Sequence, residues 1–455
     1  MCVLHSDAPK LQRVLKNRHI QLIAMGGAIG TGLFLGSAHI IQSAGPSIIL
    51  GYVIGGLIAF LIMRQLGEMI VHEPVTGSFS YFAFKYWGKF SGFLTGWNYW
   101  ILYILVVMTE LTAIGKYVNY WWPHIPAWSS VLLFFVIITI ANLTSVKTYG
   151  ESEFWLSIIK VLAIIAMIIF GIYLLVTAGP DSTVSITNLW THGGFFPNGF
   201  SGLFYMLAFM MFAFGGIELI SMAAAETENP EKNIPKAINQ IVVRVFLFYI
   251  CSLTILLSLV PWNHLDLGGL DKSPFVLIFK QIGIEWAAHL LNFIILTASV
   301  SVCNSGMYAN SRMLLGLAEQ GNAPTVFKRV NKQGVPVYAT LFSACLIFGC
   351  VLLNYFVPEK ALSYLIYIVV GAAVLNWMMI SLIHLKFRQA MKKEGIQTQF
   401  PSLWSPVSNY FVLAFMLMIL YIMWNQGFML SVLILPVWIA LLFVLFKVLG
   451  VQKTV

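Results

Sequence analysis

Charge is what this chain has least of: 17 acidic and 26 basic residues in 455 make up 9%, where soluble domains carry about 25%. The loops between its apolar runs are short, so no soluble domain is hidden among them. The net charge of +9 does not signal nucleic acid, because a basic patch needs its cations gathered on one face and these are spread between apolar runs. Cysteine is also scarce. Cys2, Cys251, Cys303, Cys345 and Cys350 show neither paired nor metal-ligand spacing, so no disulfide framework, metal or other cofactor is implied. Neither an HExxH motif nor a His/Asp group falls in the apolar runs, which argues against a polytopic membrane enzyme. The N-terminus lacks a short apolar run with a small-residue cleavage site, and no removable signal peptide is expected.

What the chain has is hydrophobic residues, 59% of the total. Against about 20 residues per bilayer crossing, twelve apolar segments can be drawn, near 20–42, 46–71, 90–118, 126–144, 154–177, 200–224, 240–260, 284–311, 336–356, 361–385, 405–424 and 428–449. The expectation is an all-α polytopic membrane protein with 12 transmembrane helices, a tail at 1–19 and another at 450–455. Lys and Arg set the orientation, since cytoplasmic loops collect them. With the N-terminus inside, only Lys116, Lys272, Lys280 and Lys360 fall outside, and Lys160 falls within a span. Every other Lys and Arg is then cytoplasmic, from Lys10 and Arg13 to Lys447 and Lys453, and both termini are expected there.

Two of the spans carry internal breaks. Span 1 contains Gly26-Gly27-Ala28-Ile29-Gly30-Thr31-Gly32, and each glycine in a helix interior costs roughly 1 kcal/mol against alanine. A broken backbone in lipid is tolerated where it lines a protein cavity. The other reading of these glycines is close helix packing. Span 6 contains Phe212-Ala213-Phe214-Gly215-Gly216-Ile217-Glu218, a second break with a carboxylate. Interrupted segments in corresponding positions of two halves point to a transporter site built from discontinuous helices. Halves of five spans each, an odd number, enter the membrane from opposite sides. The first repeat is thus expected at 20–177 and the second, inverted, at 200–385, with two further spans at 405–449.

At these residues the chain resembles a known family. GGAIGTG, Arg64-Gln65-Leu66-Gly67-Glu68-Met69, the loop from Glu226 to Ala237 and the run from Ser311 to Pro324 are similar to amino acid permeases of the amino acid-polyamine-organocation superfamily. Within it, the stretch from Lys16 to Ala24, Gly96-Trp97-Asn98-Tyr99-Trp100 and Glu110-Leu111-Thr112-Ala113 resemble the bacterial general aromatic and phenylalanine permeases. Ser221 and Thr109 depart from that pattern, where glycine and alanine are expected. The resemblance implies a LeuT-like fold of five plus five inverted spans with two extra C-terminal helices. It also implies import of aromatic L-amino acids by proton symport across the bacterial inner membrane, the lipid bilayer being the protein's surroundings. A permease for another amino acid such as proline, and an amino acid exchanger, remain alternatives. A transporter-like nutrient sensor usually adds long soluble extensions, and these tails are short.

The chemistry of the breaks suits an amino acid. Unwinding near Ile29, Gly30, Thr31 and Gly32 frees backbone N–H groups that suit a carboxylate. Unwinding at Gly215 and Gly216 exposes carbonyl oxygens for an ammonium. Tyr103 and Phe212 are candidates for the side-chain pocket, where the resemblance to related antiporters places a substrate-facing tyrosine and a gating aromatic. Phe214 and Asn304 are further candidates, although for Phe214 packing is an equal reading. Ionisable groups inside spans mark ion or substrate paths, and Lys160, Glu110 and Glu218 qualify as proton-coupling candidates. The setting Ile158-Ile159-Lys160-Val161 resembles proton-coupled relatives in which such a lysine takes the place of a sodium ion, bridging span 1 and span 8 near Ser301, Asn304 or Ser305. Against that stands snorkelling of the Lys160 stem to the interface. Glu151 and Glu153 read as solvated or paired surface carboxylates, and His19, His72, His289 and His384 carry no ligand spacing and are assigned no role.

Overall fold

The computed structural model describes residues 15–26, 29–179, 182–265, 273–425 and 428–448. Lys10, Arg13, Lys272 and Lys453, Gly27 and Ala28 of the first break, Cys2 and the 450–455 tail lie outside the described residues. So does the 1–19 tail up to residue 14.

The first apolar segment is not one helix. It is cut into α1 (Asn17–Gly26), a single turn α2 (Thr31–Phe34) and α3 (Gly36–Ala44), with Gly30 extended between the first two. A 3-10 turn at Gly45–Ser47, which places Pro46 where a missing N–H costs nothing, leads into α4 (Ile48–His72). The short α5 (Ser78–Tyr86) precedes α6 (Lys89–Asn119), α7 (Ala127–Thr144), α8 (Val146–Thr177) and the turn α9 (Asn188–Thr191). The second break follows α10 (Gly199–Ala213): the chain turns through Phe214 to Glu218, with Gly216 at φ +96°, and resumes as α11 (Leu219–Met222). Helix α12 (Pro230–Arg244) continues through a π-helical stretch at Val245–Cys251 into α13 (Ser252–Leu259). Then come α14 (Pro274–Gln281), α15 (Glu285–Glu319), α16 (Val337–Ile347), α17 (Gly349–Phe356), α18 (Ala361–Glu394), α19 (Val407–Asn425) and α20 (Met429–Val448). No β-strand occurs among the described residues; one isolated bridge joins Leu15 to Thr227.

Ten helical stretches among the described residues are long and apolar enough to cross a membrane, and the protein is an all-α, multi-pass membrane protein. The difference from twelve has a physical cause. Thr31–His72 holds the second half of the first segment and the whole of the next with only the 3-10 turn at Gly45–Ser47, where Gly45 has φ +56°, to part them, and Gly199–Ala213, cut short by its break, is an apolar helix below spanning length.

Helix α6 runs along α15 and α18 at the centre, α1 packs on α8 and α12, and α10 packs on α3 and α4. Around this centre lie charges that would be very costly in lipid without partners: Glu68, Glu110, Glu153, Lys160, Glu218, Glu226, Arg244 and Arg312 are all buried. The periphery is apolar instead, as for Trp155, Leu162, Ile169 and Tyr173 along α8. That is the pattern of a bundle whose outer face meets acyl chains.

Candidate functional site

The two breaks lie against each other. A Cβ placed on Gly32 would stand 2.7 Å from the Ala213 Cα and 3.0 Å from the Phe212 carbonyl oxygen, so here the backbone of the first break touches the backbone of the second. The packing reading of Gly32 is therefore correct as far as it goes, but Gly32 also borders an internal cavity. That cavity is walled by Gly30, Gly32, Tyr103, Glu110, Phe212, Gly215 and Glu218 of the expected site. Leu102, Val106, Met211, Gly216, Val302, Val369 and Ala373 complete it. Its volume is about 30 Å³, room for little more than a water molecule or two. An aromatic amino acid enters only if side chains on the wall move.

At the first break the ionisable group lies on the amide. The Thr31 backbone N–H donates to Glu110 Oε1 at 3.0 Å and its hydroxyl donates to Oε2 at 2.6 Å, while Ser299 Oγ lies 3.1 Å from the same hydroxyl. Charge-assisted bonds of this kind are roughly twice as strong as neutral ones. Glycine at position 30 is what makes the approach possible, because a Cβ there would come within 2.7 Å of Glu110 Oε1 and 2.8 Å of Val302 Cγ2. Across the cavity, Tyr103 Oη donates to Glu218 Oε1 at 3.3 Å, and Glu218 Oε2 has no hydrogen-bond partner among the described residues. One carboxylate thus faces the cavity from α6 and another from the turn after α10.

Lys160 is 0% exposed, which overturns the snorkelling alternative. Its Nζ donates to Ser301 Oγ at 2.8 Å and to the Ile29 carbonyl oxygen at 3.5 Å, tying α8 to α15 and to the chain just before Gly30. Glu153 is a correction: it is no surface carboxylate but 0% exposed, 3.9 Å from Lys160 Nζ, and accepts from Ser301 Oγ at 2.5 Å and Ser157 Oγ at 3.2 Å. α8 presents position 153 to α15, whereas Glu151, two residues earlier, points away. Glu151 is partly exposed and pairs with Arg18 and His19, so it is the paired surface carboxylate expected.

Not every candidate reaches the cavity. Ile29 contributes its carbonyl to Lys160, and Thr31 its donors to Glu110; neither borders the open space. Phe214 packs instead between Tyr52 and Tyr249, with ring centroids 5.8 and 5.2 Å away. Asn304 accepts from Asn142 Nδ2 at 2.8 Å and donates to Ser152 Oγ at 3.4 Å, while Val302 of the same helix lines the cavity. Among its three proposed lysine acceptors, Ser301 makes the bond, and Ser305 lies 3.2 Å from Tyr149 Oη instead.

Some residues were missed. Leu102, Val106 and Glu110 recur at four-residue spacing beside Tyr103, so the one-face rule for a helix applied to Tyr103 and Glu110 would have found the first two. His384, assigned no role, is buried with Nε2 2.9 Å from Glu68 Oε2 and Nδ1 3.0 Å from Asn409 Nδ2. At one end of the bundle Tyr149 stacks on Tyr308 with centroids 3.9 Å apart. Arg312 lies over the same ring, and Tyr308 and Arg312 both bond Glu226.

The sequence model for amino acid permeases matches residues 19–450. The aromatic amino acid transport protein AroP of Escherichia coli (strain K12) is 58% identical over 436 residues, 95% of this chain and 94% of the relative. The AroP of Salmonella typhimurium (strain LT2) gives the same figures. The uncharacterized transporter YdgF of Bacillus subtilis (strain 168) is 44% identical over 441 residues, 96% of each chain.

Proposed function

This chain belongs to the amino acid permease family, and we propose from that premise that it carries aromatic L-amino acids, Phe, Tyr and Trp, into the cell with protons. The observation that carries the substrate class is the 58% identity to aromatic amino acid transport proteins along 95% of the chain. Geometry supports the transport of a zwitterion. The Thr31 amide beside Gly30 suits the carboxylate, and the turn at Phe214 to Glu218 offers carbonyls and the Glu218 carboxylate to the ammonium. Tyr103, Leu102, Val106 and Phe212 supply apolar and aromatic surface for the ring.

In this reading residues 20–177 and 200–385 are the two inverted repeats and 405–449 the peripheral spans. Both termini face the cytoplasm of a bacterial inner-membrane protein. The substrate carboxylate and the Glu110 carboxylate compete for one amide, so loading requires Glu110 to take a proton or swing aside. Lys160 carries the coupling proton. Charged, it holds the Ile29 carbonyl and Ser301 together beside Glu153; neutral, it loses its attraction to Glu153 and loosens the junction between α8, the first break and α15. Opening and closing of that junction alternates the site between the two sides.

The test is uptake of labelled phenylalanine by expressing cells with each of the twenty amino acids as competitor. Competition by tyrosine and tryptophan supports the reading; absence of phenylalanine uptake, or uptake that excess tyrosine and tryptophan leave undiminished, would reject the substrate class while leaving the family untouched.

A further inference from the structure

A cavity of about 650 Å³ that shares no lining residue with the one at the breaks lies between the last turns of α18, the chain from 395 to 406 and the start of α19. The depth of this cavity follows from helix lengths. α18 has 34 residues, about 51 Å at 1.5 Å each, well beyond the ~30 Å of a hydrocarbon core. Its last turns therefore stand among head groups. α19 has 19 residues, about 28 Å, so its first residues sit at the same border. Trp404, Val407, Tyr410 and Phe411 are 71, 69, 62 and 51% exposed there, three aromatic rings and a valine suited to the membrane–water interface and costly in water.

The two charged residues of the cavity wall are both cations. Arg388, Gln389 and Lys392 follow one face of α18, and no Asp or Glu lines the opposite side, where Gln397, Thr398 and Tyr410 stand. The carboxylate behind the wall is already saturated. Glu68, 0% exposed, accepts from Arg388 Nη1 at 2.8 Å, Thr398 Oγ1 at 2.6 Å and the Ser402 N–H at 2.7 Å, with His384 Nε2 at 2.9 Å. That network fixes Arg388 by one nitrogen. Nε and Nη2 make no hydrogen bond among the described residues, and the Arg388 side chain is 39% exposed. A guanidinium held at one end with donors left at the other, beside an ammonium and an apolar rim, is complementary to a phosphodiester carrying acyl chains.

We propose that this cavity binds the head group of an anionic phospholipid from the leaflet at the Lys- and Arg-rich end of α18. The phosphate bonds Arg388 and Lys392, and the acyl chains lie along Val407 and Phe411. Because Arg388 also holds Glu68 on α4, the bound lipid braces α4, α18 and α19 against one another.

The experiment is native mass spectrometry of the detergent-purified full chain titrated with phosphatidylglycerol, phosphatidylcholine or inorganic phosphate. It uses no transport readout, so it stands or falls apart from the proposed substrate. Lys392 is exposed and outside the Glu68 network, so its variants leave the fold intact; Arg388 is left unchanged. Retained phosphatidylglycerol at one lipid per chain is expected, with Lys392→Gln weakening it about fivefold, the factor that ~1 kcal/mol per interfacial cation represents. Lys392→Glu should weaken it further. Equal retention by wild type and Lys392→Glu overturns the site, as does equal retention of phosphatidylcholine. Binding of inorganic phosphate alone would assign the cavity to a free anion, and a dimer lost in Lys392→Glu would assign it to a second copy; either result overturns the lipid proposal.

Discussion

The Glu110 carboxylate takes both the backbone N–H and the hydroxyl of Thr31, at 3.0 and 2.6 Å. An acidic side chain of the protein thus holds the position at the first break that the proposed function gives to the substrate carboxylate. Two ionised carboxylates cannot share one amide, so the strength of this contact opposes substrate binding unless Glu110 is neutralised or displaced.

Glu110→Gln tests that competition. Glutamine keeps the length and an acceptor but gives up the charge-assisted bond, which is stronger than its neutral counterpart by about 1 to 1.5 kcal/mol. Phenylalanine affinity near pH 7.5, measured as Kd on purified protein, is expected to tighten by roughly fivefold to tenfold. Unchanged or weaker binding by Glu110→Gln would mean that Glu110 does not stand in the substrate's place.

Gly32 and Gly36 form a contrast one helical turn apart. A methyl at Gly32 would lie 2.7 Å from the Ala213 Cα, and backbone cannot yield there without separating the breaks; at Gly36 the nearest atom is 3.8 Å away. Gly32→Ala should lose nearly all phenylalanine uptake while Gly36→Ala keeps most of it, both compared at matched membrane abundance. Equal uptake by the two variants would remove the contact between the breaks from the mechanism.

Phe212 and Phe214, two residues apart, separate function from stability. Phe212 borders the cavity, and Phe214 fills a fully buried space against Tyr52 and Tyr249. Phe212→Ala should raise KM for phenylalanine with a small change in Tm. Phe214→Ala should cost about 3 to 5 kcal/mol of stability, the usual range for a buried phenylalanine, and read out as a large fall in Tm. The opposite assignment would show that the second break turns its residues the other way.

The two breaks were legible because their signal is local: glycine and a carboxylate in apolar runs are anomalies that need no partner to be noticed. The depth of Lys160 could likewise be counted from the start of its span. What could not be read was rotation. Whether position 153 meets α15 or water, and whether Val302 or Asn304 faces the cavity, depends on how α8 and α15 are turned about their axes. Residues two apart on a helix face different directions; on α15 Ser299, Ser301, Asn304 and Ser305 lie on more than one side and do not fix the angle, and on α8 it takes a buried Lys160 to fix the face, which then carries Ser157 and Glu153 with it at spacings of three and four. Phe214 escaped for a related reason: it lies just beyond the end of α10 at Ala213, where helical periodicity stops being a guide. The hold of Glu110 on Thr31 joins residues 79 apart in sequence, and nothing near either one announces the other.

Ser301 offers a separate handle on the lysine cluster, since its hydroxyl accepts from Lys160 and donates to Glu153. Ser301→Ala leaves the two charged groups 3.9 Å apart without their bridge. The rate of pH-driven uptake should fall about tenfold or more, as expected when a buried donor and acceptor each lose a partner at a net ~1.5 to 3 kcal/mol, while exchange of labelled for unlabelled phenylalanine persists. Loss of both activities together would assign Ser301 to folding instead.

The most direct measurement is phenylalanine accumulation in proteoliposomes that contain no internal amino acid, driven by an imposed pH gradient, for the wild-type chain and for Lys160→Gln. The account predicts that wild type concentrates phenylalanine, that tyrosine and tryptophan compete, and that Lys160→Gln fails to accumulate although it still exchanges labelled for unlabelled substrate. Undiminished gradient-driven accumulation by Lys160→Gln, or wild-type uptake that appears only when a counter-substrate is loaded inside, would contradict it.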